Sequence, residues 1–146
     1  MKTTIFILAT FALALPMAQG KKPRPPDPRL SQIKTVFIKG VNEAAVRARE
    51  RLEKRTCYRL APSEAKADAI LELDWSVRGG RVSAVLTGKD GEVVWSGVSS
   101  GEKFDSSMGF AGENVDLIFR KLQNAAWPGS VRSFHGPDLS VCKESN

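Results

Sequence analysis

The chain has 146 residues, of which 42% are hydrophobic and 26% charged, and its formal net charge is +6. It is long enough for one buried core, and its basic and aromatic residues are not interleaved as a nucleic-acid surface requires. The mild positive balance favours anionic partners, such as lipid headgroups or acidic polymers, without requiring them.

In chain order, Lys2 is followed by an apolar run from Ile5 to Leu15, and Ala18-Gln19-Gly20 places small residues before a cut after Gly20. This pattern predicts a secretory signal peptide over residues 1–20, too short for a stop-transfer helix. No cysteine lies near the cut, so the expectation is a protein that is periplasmic or secreted, without a lipid-modified start and without a membrane span. Residues 21–31 follow as a basic, extended segment, with Pro23, Pro25, Pro26 and Pro28 stiffening it. The packed domain is expected over 32–128, with a coil tail over 129–146.

Ile33 to Lys39 is the first predicted strand; the consecutive Val36, Phe37 and Ile38 fit an interior position. Gly40 ends it, and Asn42 caps a helix running to about Arg55. Val41, Ala45, Ala48 and Leu52 form its apolar stripe, and Glu43–Arg47, Arg49–Glu53 and Glu50–Lys54 pair on a solvated side. Cys57-Tyr58-Arg59-Leu60 reads as a second strand, and Pro62 to Ala67 as a helical turn. Strand, helix and strand together suggest a parallel crossover.

From Ile70 to Arg78 the chain alternates, with Leu71, Leu73, Trp75 and Val77 on one side and Glu72, Asp74, Ser76 and Arg78 on the other. A two-residue turn at Gly79-Gly80 would pair Val77 with Val82, Trp75 with Ala84 and Leu73 with Leu86. After Gly88-Lys89-Asp90-Gly91, a four-residue loop pairs Leu86 with Val93 and Ala84 with Trp95. A shorter, bulged loop would turn Val94 and Val98 inward; the first is preferred because it buries the tryptophan. Residues 99–112 form a Gly/Ser-rich loop, and Glu113 to Ala126 a last helix with Val115, Ile118, Leu122 and Ala125 on its apolar face. Trp127 packs at its end, and Pro128-Gly129 stops it.

The fold class is α+β: a two-layer mixed sheet with an antiparallel meander and two main helices on one face. In the preferred registers Ile70, Glu72, Asp74, Val85, Val94 and Val98 lie on the opposite face. That mixed strip is either a partner surface or an ordinary half-exposed face. Cys57 and Cys142 form an even pair, which in an oxidising compartment reads as a disulfide tying the tail back; a buried thiol plus a free tail thiol is the alternative.

Ala67-Asp68-Ala69-Ile70-Leu71-Glu72-Leu73, then Val82-Ser83-Ala84-Val85-Leu86 and Asp90-Gly91-Glu92-Val93-Val94-Trp95-Ser96-Gly97, resemble the hairpin of small bacterial envelope domains. These include the periplasmic domain of the curli-secretion channel subunit and the lipoprotein activators of peptidoglycan synthases. The resemblance could cover Ile33 to Trp127 and implies a non-catalytic assembly or interaction module. It rests on fold-forming residues, so no functional residue is carried over, and the absence of a lipidation cysteine separates the chain from the anchored members.

Catalytic chemistry finds little footing. His135 is the single histidine and lies in the tail, Ser106 and Ser107 have no base nearby in sequence, and Gly109-Phe110-Ala111-Gly112 lacks the Lys-Ser/Thr of a phosphate loop. Asp90-Gly91 serves a turn and is followed by no calcium-loop spacing. Glu72 and Asp74, roughly 6.5–7 Å apart along a strand, are the one carboxylate pair that an inverting glycosidase could use. The expectation is a non-enzymatic envelope binding or assembly module, with no cofactor and no metal. Its partner would be another envelope protein or an anionic envelope component. A small cell-wall-active hydrolase and a secreted protein inhibitor are the alternatives.

Overall fold

The computed structural model describes residues 27–76, 80–99, 111–131 and 136–143. The predicted signal peptide, the start of the proline-rich segment, His135, Ser106 and Ser107 lie outside these residues. Five strands, β1 (Thr35–Lys39), β2 (Arg59–Leu60), β3 (Ala69–Ser76), β4 (Arg81–Gly88) and β5 (Val93–Val98), form one sheet in the order β2-β1-β3-β4-β5. β1 runs parallel to β2 and β3, whereas β3, β4 and β5 are antiparallel neighbours. The mixed α+β sheet and the interior place of β1 follow the sequence pattern.

Helix α1 (Glu43–Arg55) starts where the Asn42 side chain accepts the Ala45 amide at 2.8 Å, leaving its own amide group to donate to the Leu73 carbonyl of β3 at 2.8 Å. One residue thus starts the helix and fastens it to the sheet. The helix stops at Thr56, whose hydroxyl donates to Leu52 O at 2.7 Å. Its buried stripe is Ala44, Ala45, Ala48 and Leu52; Val41 precedes the cap and is 93% exposed, contrary to the expected stripe. Gly40, at φ 105°, turns the chain there, so the side chain after it swings outward.

Helix α2 (Ala111–Ala126) buries Val115, Ile118, Phe119 and Leu122. Both helices pack on one face of the sheet, over Val36, Ile38, Leu71, Leu73, Val82, Ala84 and Leu86. The charged side of α1 is only partly solvated, and the expected i,i+4 pairs are not its organising contacts. Arg51 donates to Asp116 of α2 at 2.6 Å and Arg55 lies 3.4 Å from the same carboxylate. Arg49 reaches the carbonyls of Ile38 and Gly40 at the end of β1. Glu53 accepts the Leu60 amide, which leaves Arg47–Glu50, an i,i+3 contact, as the ion pair within the helix.

Both antiparallel registers differ from expectation. β3 pairs Leu71 with Leu86, Leu73 with Ala84 and Trp75 with Val82, a shift of two residues. Pairing ends at Ser76 and Arg81, so four residues, not two, connect the strands. A shift of two keeps every side chain on its face, and the apolar pairs remain apolar, so the period-two pattern cannot tell the registers apart. In β5, Leu86 faces Trp95 while Thr87 faces Val93, which leaves Val94 as an extra, bulged residue. Val94 therefore enters the core and is removed from the open face on which it was expected. Trp95 keeps half-buried packing, and its ring lies over Gly97, where a Cβ would come within 2.5 Å of Cη2.

The packed unit begins before residue 32: Leu30 is buried in the core and its carbonyl accepts the Tyr58 hydroxyl at 3.0 Å. At the far end Trp127 tilts against Tyr58 with ring centroids 5.3 Å apart. Cys57 and Cys142 are joined by a disulfide across 85 positions. Fully buried Gln123 accepts the Cys57 amide at 3.0 Å beside it. The tail is not all coil, because Leu139–Lys143 forms a 3-10 turn around Cys142.

Candidate functional site: the open face of the sheet

Strand alternation places the residues not facing the helices in rows across the sheet. One row runs Phe37, Ile70, Thr87, Val93; the next Lys39, Glu72, Val85, Ser96; the third Asp74, Ser83, Val98; and Ser76 faces Arg81 beyond them. No described helix covers this face. Val85, Val93 and Val98 are exposed by 37%, 58% and 41%, and Phe37 and Ile70 are half-buried. The expected residues Ile70, Glu72, Asp74, Val85 and Val98 do share the face; Val94 does not.

Lys39 and Glu72 are neighbours on parallel strands and form an ion pair at 2.9 Å, and that hydrogen bond raises the lysine above its ordinary value. Glu72 thus stands beside a cation on a flat strand surface, with Val85 and Asp74 around it. Neither Glu72 nor Asp74 lines either of the two clefts at the end of the sheet.

Concavity occurs instead at the end of the sheet, on both sides of the Gly88–Gly91 turn. A cleft of about 740 Å³ is lined by Glu64, Ala67, Ile70, Thr87 and Lys89. A smaller one of about 320 Å³ is lined by Arg29, Ile33, Asp68, Asp90 and Val94. Ile70 and Thr87 belong both to the larger cleft and to the apolar row, so face and cleft form one surface.

Asp68 lines the smaller cleft. Its carboxylate accepts the amides of Lys34 and Thr35 at 3.1 and 3.0 Å and the Thr35 hydroxyl at 2.9 Å, and Lys89 lies 3.4 Å away. Partial burial alone would raise this carboxyl, but the Thr35 and Lys34 donors and Lys89 together hold it below the ordinary 3.8. Asp27 is lowered by its hydrogen bonds from Arg29, which also approaches Asp90 at 3.7 Å. The sequence signal for Asp68 was an acidic residue set between two alanines at the entry of a strand, where a short side chain can reach a neighbouring strand's amides.

Among the described residues no group of three His, Cys, Asp or Glu side chains is placed to hold a metal ion, and no helix is long and apolar enough to cross a membrane. No family model, curated protein or solved structure matches this chain.

Proposed function

We propose that the protein is an exported, non-enzymatic module of the cell envelope that recognises another envelope protein, or an anionic envelope component, through the open sheet face and its adjoining cleft. The observation that carries this reading is the asymmetry of the sheet. Helices cover one face, while the other displays Val85, Val93 and Val98 beside Phe37 and Ile70, edged by Lys39, Glu72, Asp74 and Arg81. An apolar strip with charged borders is the composition of a recognition surface. The signal-peptide pattern, the Cys57–Cys142 disulfide and the resemblance to envelope assembly domains support the location.

Crosslinking in intact cells, followed by mass spectrometry of captured envelope proteins, tests the reading. One reproducible partner, lost when Val85 is replaced by Lys, is the expected result. Capture of nothing above background by an abundant protein would overturn it.

A further inference from the structure

The two edges of the sheet are guarded very differently. β2 has two residues, carries Arg59, and is followed by Pro62, three devices that discourage further pairing. β5 has six residues, Val-Val-Trp-Ser-Gly-Val, with no charge and no proline. The Ser99 amide donates to Val82 O at 2.8 Å, so by alternation Ser96 and Val98 aim their backbone groups away from β4. Lys121 Nζ confirms the direction by donating to the Val98 carbonyl at 2.6 Å from outside the sheet. The amide and carbonyl of Ser96 and the amide of Val98 have no partner among the described residues, on a strand chemically suited to extension.

We propose that β5 pairs with β5 of a second copy of this chain, antiparallel about a two-fold axis, to make one continuous sheet. Charge at the strand ends selects this occupant and this direction. Glu92 lies just before β5 and Lys121 lies at its far end, both exposed. Antiparallel pairing brings each Glu92 toward the partner's Lys121, twice by symmetry, whereas parallel pairing would set like charges together. The bulge at Val94 twists the start of the strand and confines pairing to its second half, where the outward groups are. The open faces of the two copies then join into one surface, so the arrangement extends the proposed recognition face without depending on its partner.

The test is sedimentation equilibrium on protein purified after expression of the full chain. The wild type is expected to associate to dimers. Ser96→Lys, which puts two cations next to the axis at an exposed position, should weaken dimerisation at least about tenfold. Glu92→Lys should weaken it likewise, and Glu92→Lys with Lys121→Glu should restore it, a rescue that a folding defect cannot imitate. Matching circular dichroism spectra for Ser96→Lys and wild type would show that the variant folds. A wild type that remains monomeric through the millimolar range, or dimers indifferent to both Ser96→Lys and Glu92→Lys, would overturn the proposal.

Discussion

The two faces of this one sheet differ in kind. The covered face is continuous hydrocarbon, from Val36 and Ile38 through Leu71 and Leu73 to Val82 and Leu86, all buried and met by the small and branched residues of α1 and α2. The open face mixes valines with Lys39, Glu72, Asp74 and Arg81, and nothing described lies over it. Stability therefore resides in the covered face and its staples, and recognition is assigned to the open one. Substitutions on the two faces should separate accordingly.

The largest effect is expected from the staple. Replacing Cys57 and Cys142 by Ser frees a segment of 85 positions, and the chain-entropy argument puts the loss at roughly 4 kcal/mol. Urea unfolding with and without a reducing agent measures it. Leu71→Ala opens a cavity in the covered face and should cost about 3 kcal/mol in the same assay.

Asp68→Asn comes next. It weakens the link between the starts of β1 and β3, and with this carboxylate partly exposed the loss at neutral pH should be about 1 kcal/mol. The sign with pH is fixed. A carboxyl held below its ordinary 3.8 when folded stabilises fully above that value and loses its contribution as the pH falls through the lowered folded value. The variant should therefore show a shallower acid limb than wild type in melting temperature measured between pH 2 and 6; parallel limbs would remove Asp68 from the account.

The smallest effect on stability is expected on the open face. Val85→Lys and Val93→Lys should change unfolding free energy by less than about 0.5 kcal/mol while abolishing capture of a partner. If instead they destabilise as Leu71→Ala does, the open face is part of the core and the contrast collapses.

Legibility in the sequence followed the same division. The covered face was readable because alternation in Leu71-Leu73-Trp75 and the helical spacing of Val115, Ile118 and Leu122 record burial directly. The disulfide pair was readable from the parity of the cysteines, taken together with the expectation of export. The registers were not, since a slip of two residues preserves the face of every side chain, and Gly79-Gly80 pointed to a shorter connection than the four residues between Ser76 and Arg81. The bulged alternative had the inward turn of Val94 right and that of Val98 wrong, because Val98 pairs with Ser83 on the open face, and the alternation alone does not choose between the two loops. Asp68, Arg49 and Gln123 were missed because their work is to satisfy backbone groups far away in sequence, and such partners have no local period.

The central claim is that the open face is the working surface. It is tested most directly by placing a photocrosslinking amino acid, one position at a time, at Val85 and Val93 on that face and at Val46 and Glu50 on the outer side of α1, in living cells. The account predicts that Val85 and Val93 yield a common product larger than a dimer of the chain and that the helix positions do not. Products from the helix positions alone would contradict it.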